Sequence, residues 1–295
     1  MFIKPIERQN QMTTITASAV KELREITGVA MMDCKKALVE TNGNMEEAKD
    51  FLRKKGQAKA LKKSSRETRE GAVGLYSSKD GKTAGLVQVT CETDFVARNE
   101  KFQALIKKLA EQISVNGENN LLQQNLINGE GNVESMLTNT ISELGENMQI
   151  LNSRKFKITH GLIGGYIHSN GKIGVAVPLE TDQPCNENSL KSLAKDIAMH
   201  IAAFNAEAVK SDQVPEEVLE KEKEVFIAQA RESGKPDNII EKMIEGRLKK
   251  YVKEICVESQ PFVKNPQFSV SQLIEQTAKE LGLKINFDKF EKYQF

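Results

Sequence analysis

Apolar positions recur with helical spacing three times before residue 56 and alternate in the manner of strands only after residue 70. The first helical stretch runs from a Thr16 or Ser18 cap through Val20, Leu23 and Ile26 to Gly28. The second covers Met32 to Thr41, with Asp33 in its first turn, where a negative charge suits the helix dipole. Asn42-Gly43-Asn44 breaks it, and a third helix, Met45 to Lys55, carries Ala48, Phe51 and Leu52 and is expected to stop at Gly56. Roughly forty residues in three helices make a small core, so this module is expected to dock on another part of the chain. Residues 57–70 hold Lys59, Lys62, Lys63, Arg66 and Arg69 among few apolar positions and read as a basic linker or a solvated helix.

Beyond the linker the pattern repeats. Gly71, Gly74, Tyr76, Gly81 and Lys82 recur as Gly161, Gly164, Tyr166, Gly171 and Lys172, and Glu92-Thr93-Asp94 recurs as Glu180-Thr181-Asp182. Phe102, Leu105, Leu109 and Ile113 correspond in the same way to Leu190, Leu193, Ile197 and Ile201. In each copy Asp80-Gly81 or Asn170-Gly171 separates alternating apolar runs, the mark of a two-residue hairpin turn with positive φ, and a helix follows. Two similar subdomains of hairpin plus helix are implied. Met148 to Thr159 and Leu283 to Phe290 are further strand candidates that would widen each sheet to about three strands. Between the copies, residues 114–147 carry one helix, Val133 to Leu144, and read as a connection without chemistry. After residue 203 Pro215 opens a charged helix, Ser233-Gly234-Lys235-Pro236 turns the chain, and Ile240, Ile244, Leu248, Val252 and Ile255 stripe a second helix. These two helices form a hairpin whose stripe closes on its own partner or also serves a dimer.

Composition narrows the classes. The 42 Lys and Arg nearly cancel the 41 Asp and Glu among 295 residues, so no global field draws the protein to nucleic acid or an anionic membrane. Partners must be recognised by local surface. No apolar run is long enough to cross a bilayer, and the N-terminus lacks the features of a secretory or mitochondrial signal. Cys34, Cys91, Cys185 and Cys256 lie far apart with no CxxC pair, as in a reduced, cytoplasmic protein. Met12 offers a second start, which would make residues 1–11 dispensable, and the N-terminal extension is taken as 1–12.

Chemistry concentrates at one junction. Glu92-Thr93-Asp94-Phe95-Val96-Ala97-Arg98-Asn99 stands where the alternation of Leu86, Val87 and Val89 gives way to the helical spacing of Phe102, Leu105 and Leu109. Either Asp94 caps the helix and Phe95 staples it to the core, or the turn presents both outward. Phe95 has Gln183 opposite it in the second copy, so the aromatic belongs to one copy alone. A second candidate is the adjacent pair Met31 and Met32, one filling the core or both forming adaptable contacts. Gly81-Lys82-Thr83 lacks the first glycine of a phosphate-binding loop, His160, His168 and His200 lack metal-ligand spacing, and GxSxG is absent. No enzyme site is read; of the histidines only His168, on the hairpin before Asn170-Gly171, is kept.

Ile15-Thr16-Ala17-Ser18, Thr27 through Leu38, Thr93-Asp94-Phe95-Val96-Ala97-Arg98-Asn99, Gly234-Lys235-Pro236 and Glu241 through Arg247 together resemble the bacterial elongation factor Ts family, in order and spacing from about residue 13 onward. The resemblance implies a guanine-nucleotide exchange factor, not an enzyme and without a cofactor, that binds the GTPase elongation factor Tu in its GDP-bound and nucleotide-free forms. It implies an α+β fold: a ubiquitin-associated-like module over 13–56, a basic linker over 57–70, and core subdomains over 71–160 and over 161–202 with 258–295. An inserted dimerisation-type hairpin covers 203–257. By motif match Asp94 and Phe95, framed by Thr93 and Val96, dislocate the partner's Mg²⁺, while Arg24, Met31, Met32 and His168 bind the partner. A homodimer through the hairpin is a further implication, with no membrane and no direct nucleic acid. Some members carry a C-terminal helical module that this sequence, ending at Phe295, does not match. The competing expectation is a non-enzymatic adaptor that binds through the three-helix module alone.

Overall fold

The computed structural model describes residues 15–185, 187–231 and 237–295. In chain order the elements are α1 Ala17–Thr27, α2 Met31–Glu40, α3 Met45–Lys63, β1 Glu70–Ser77, β2 Thr83–Cys91, α4 Asp94–Ala97, α5 Glu100–Asn116 and α6 Val133–Leu144. There follow β3 Met148–Lys157, β4 Gly161–Ile167, β5 Ile173–Thr181, α7 Asn188–Ala203, α8 Glu216–Arg231 and α9 Asp237–Ile255. The chain closes with β6 Pro261–Phe262, β7 Asn265–Ser269, α10 Val270–Leu281, β8 Ile285–Asn286 and β9 Glu291–Gln294. Extension 1–12 and the Ser233-Gly234-Lys235-Pro236 turn lie outside the described residues. The fold is α+β. Strands β1, β2 and β3 make one sheet in that order; β5 pairs antiparallel with β4, β8 and β9 in a second, and β6 and β7 pair as a ribbon.

The chain divides into two compact units, the first comprising residues 15–70 with Thr90–Leu105 and Leu122–Gln149. In it Thr16 caps α1 by accepting from the Ala19 amide at 3.2 Å, and Gly28 ends the helix in the left-handed region. Asn44 caps α3 through the amides of Glu46 and Glu47. Val20, Leu23, Cys34, Leu38, Ala48 and Leu52 form the core of the three-helix module.

Helix α3 does not stop at Gly56 but continues to Lys63, taking in the first half of the basic stretch. Gly56 is a packing position and not a helix stop: a Cβ there would lie 3.3 Å from Ser142 Oγ and 3.6 Å from Thr138 Cγ2, so α3 lies close along α6. Lys55 and, on the extra turns, Lys59 reach the Asp33 carboxylate at 2.7 and 2.9 Å. Their ammonium groups hold that carboxyl below its ordinary range.

The second unit comprises Gly71–Val89, Ile106–Leu121 and Ile150–Phe295. Its main core is the inner face of β5 under Leu190, Leu193, Ile197 and Ile201 of α7, closed by Phe262, Val270 and Phe287. Two glycines let helix and strand approach closely. A Cβ on Gly164 would fall 2.4 Å from Ala194 Cβ, and one on Gly74, the corresponding position of the first copy, 2.2 Å from Ile106 Cγ2. Ala230, Ile240 and Ile244 are buried between α8 and α9 with Phe226, Ile227 and Leu248, so the predicted stripe closes on its own partner helix.

Two strand-level expectations need correction. The hairpin loops are four residues long: Ser78 pairs with Thr83 and His168 with Ile173, and only Gly81 and Gly171 have positive φ in the loops. A two-residue turn of the expected kind needs two such residues, and Asp80 and Asn170 instead accept from the amides of Lys82 and Lys172. Of the strand expected over Leu283 to Phe290 only the two residues of β8 form, because Phe287 turns into the core after them, and β9 begins beyond that span at Glu291. The β6–β7 ribbon was not expected. Among the described residues no helix is long and apolar enough to cross a membrane.

Candidate functional site

Strand β2 ends at Cys91, and Thr93 keeps an extended backbone while its hydroxyl accepts from the Val96 amide at 3.3 Å. Thr93 is therefore the N-cap of α4, and Asp94 is its first residue, not its cap. Asn99 then caps the next helix by accepting from the Lys101 amide at 2.9 Å. A single turn squeezed between two caps can bury only one side of itself. Ala97 takes the inner position, Val96 is half-buried, and Phe95 is 82% exposed. The staple reading of Phe95 is excluded. An aromatic side chain left in water forgoes about 1.5–3 kcal/mol of burial, so this residue does nothing for the stability of its own fold. Beside it Asp94 pairs with Arg98 at 3.1 Å, both side chains in contact with solvent.

The turn is held from beneath by residues that the sequence left unmarked. The Glu146 carboxylate accepts from the amides of Glu92 and Thr93 at 3.1 and 3.0 Å and from the Thr93 hydroxyl at 2.6 Å. In return Glu92 accepts from the Asn147 amide at 2.6 Å, and the buried Asn147 side chain donates to the Arg66 carbonyl at 2.8 Å. Gly145, in the left-handed region, ends α6 and turns the chain into this position. These partners are more than fifty positions apart in sequence and carry no local motif.

On the three-helix module Met31 and Met32 are 46% and 75% exposed, so neither fills the core. Ile26 and Val39 are exposed as well, and Arg24 stands exposed in the last turn of α1. Arg24, Met31, Met32 and Thr93-Asp94-Phe95-Val96 all belong to the first compact unit. His168 belongs to the second, exposed on its hairpin loop with Nδ1 3.1 Å from Tyr166 Oη. Among the described residues no group of three or more His, Cys, Asp or Glu is arranged to hold a metal ion. The assembled features are a presented aromatic, an adjacent carboxylate and exposed methionines: a surface for contact with another molecule.

The family model described as Elongation factor TS matches residues 92–294. Over 284 residues the chain is 46% identical to Elongation factor Ts of Clostridium novyi (strain NT), covering 95% of this chain and 92% of the relative. It is 45% identical over 283 residues to Elongation factor Ts of Nitratidesulfovibrio vulgaris (strain DP4), covering 95% of each. Elongation factor Ts of Clostridium tetani (strain Massachusetts / E88) is 44% identical over 285 residues, covering 94% of this chain and 93% of the relative.

Proposed function

The chain belongs to the elongation factor Ts family and so serves translation elongation, and from that premise we propose that it is the guanine-nucleotide exchange factor of the GTPase elongation factor Tu. The observation that carries this reading is Phe95, an aromatic held outward on a pinned turn where its own fold gains nothing from it. Bound GDP is held by Mg²⁺, a large local charge, together with backbone amides of its GTPase. Phe95 acts as a wedge beside that metal and Asp94 disturbs its water shell, with Thr93 and Val96 framing the pair. Arg24, Met31, Met32 and His168 supply contacts that hold the two proteins together.

No covalent bond is made or broken, so the protein acts without being an enzyme. Reciprocity follows from linkage: a protein that lowers nucleotide affinity is bound less tightly, by the same factor, when nucleotide is present. GTP and Mg²⁺ therefore release it, and the cycle can turn. The accompanying domain reading is a ubiquitin-associated-like module over 13–56, two related core subdomains, and a helical hairpin over 203–257 suited to a homodimer. The setting is the cytoplasm, without direct contact to nucleic acid.

The test is stopped-flow release of a fluorescent GDP from elongation factor Tu. Wild-type protein accelerates release, and Asp94→Ala combined with Phe95→Ala loses most of the acceleration while folding normally. Unchanged release with the double variant would overturn the assignment of these residues. Capture of a partner in a pull-down by residues 13–56 alone would instead favour the adaptor reading.

A further inference from the structure

Residues 114–147 look like a bare connection in the sequence, yet their last three positions carry the bonds that orient the exposed turn. The Thr93 hydroxyl is used twice: it donates to Glu146 Oε1 at 2.6 Å and accepts from the Val96 amide at 3.3 Å. Glu146 therefore fixes the direction of the cap, and through the cap the direction of the single helical turn that bears Asp94 and Phe95. Helix α6, which ends two residues before Glu146, also supports the three-helix module, since Ser142 donates to the Gly56 carbonyl at 3.5 Å. Glu143, one turn from Glu146, pairs with Lys101 at the start of α5. One short segment thus braces both α3 of the three-helix module and the turn carrying Phe95, within one compact unit.

From this we infer that Glu146 is a positioning residue for exchange: its carboxylate aims Phe95, and Gly145-Glu146-Asn147 sets the aim relative to the three-helix module. The inference rests on the reading of Phe95 as the wedge. A group that acts by aim affects the rate within the complex more than the formation of the complex, because contacts elsewhere on the surface are kept.

The experiment titrates full-length wild type, Phe95→Ala, Glu146→Ala and Glu146→Gln against elongation factor Tu loaded with a fluorescent GDP. Each gives a maximal release rate and a half-saturating concentration. For Glu146→Ala the expected result is a maximal rate lowered about tenfold or more, with half-saturation moved less than about threefold. Glu146→Gln, which keeps one acceptor oxygen, falls between wild type and Glu146→Ala. Amide exchange at Glu92 and Thr93 rises in Glu146→Ala, while that of Leu23 and Leu38 in the module core does not. A wild-type maximal rate in both Glu146 variants, with Phe95→Ala impaired, overturns this inference alone. Phe95→Ala at wild-type rate overturns the wedge reading and the inference with it. Should Glu146→Ala lose protection throughout the unit, Glu146→Gln decides: a wild-type rate there overturns the inference.

Discussion

The Val73 amide donates to the Gly171 carbonyl at 2.8 Å, and the Ile163 amide donates to the Gly81 carbonyl at 2.9 Å. The two bonds join equivalent positions of the repeated pattern in opposite directions, so each hairpin loop is latched by the first strand of the other copy. The loop glycines need positive φ to present those carbonyls. At Gly171 a Cβ would meet only Ala72 Cβ, at 3.6 Å, so backbone strain and not crowding governs substitution there. Gly171→Val should cost on the order of 1–2 kcal/mol and Gly171→Asn clearly less, read as urea midpoints at constant m.

Gly164 tests the other limit, crowding. A Cβ there would lie 2.4 Å from Ala194 Cβ and 2.5 Å from its carbonyl carbon, which cannot swing aside as the end of a side chain can. Gly164→Val should destabilise by about 1–3 kcal/mol or more through overpacking of α7 against β4. Gly246, with nothing within 4 Å of its Cβ position, is the control, and Gly246→Ala in the middle of α9 should be neutral or stabilising by thermal melt.

Phe95→Ala should leave the unfolding free energy within about 0.5 kcal/mol of wild type, because the side chain is 82% exposed. Leu38→Ala, in the core of the three-helix module, should cost about 2–5 kcal/mol. A large loss of stability from Phe95→Ala would mean that the aromatic is a fold element after all.

His200 makes stability depend on pH. It is fully buried, stacked on Phe204 at 4.6 Å, with Nε2 against Gln260 Oε1 at 2.8 Å and Nδ1 accepting from the Val263 amide at 3.2 Å. Both ring positions are used by the neutral form, and burial holds the imidazole below its ordinary value. The unfolded chain takes up the proton first, so stability is complete above about pH 6.5 and falls as pH drops from there toward the folded-state value. The slope from this one group is at most about 1.4 kcal/mol per pH unit. Urea midpoints between pH 5 and 8 should fall on the acid side in wild type, and His200→Asn, although less stable, should lose that component.

The thiols offer a chemical check. None of the four cysteines is in a disulfide; Cys34, Cys91 and Cys256 are buried and Cys185 is half-exposed. Burial also raises the thiols of Cys34 and Cys256 above their ordinary range, which keeps them protonated and inert. An aromatic disulfide reagent should therefore titrate one thiol quickly in the native protein and the other three only on unfolding.

Much of this was legible where the cause is local. Thr16 and Gly28 bound α1 because a cap and a left-handed glycine act on their own neighbours, and the stripe from Ile240 to Ile255 faces α8 because its period is helical. Gly56 was misleading because a glycine that ends a helix and one that admits a neighbouring helix look alike until α6 is known to lie there. The chain break at Phe287 and the pairing of Glu146 with Thr93 depend on partners far along the chain, and no spacing rule reports them. At the site, Phe95 stood out by its absence from the second copy, whereas nothing local distinguished Glu146 from other surface glutamates.

The turn beneath Phe95 is fixed by the protein's own bonds from Thr93, Glu146 and Asn99. Ordering a backbone residue costs roughly 1–2 kcal/mol in entropy, and here that cost falls in folding and not at the moment of encounter. A partner meeting this surface meets a rigid projection, so no loop-ordering step slows productive collisions. Rigidity discriminates too, since a molecule without a cleft matching this projection gains nothing by adjusting it.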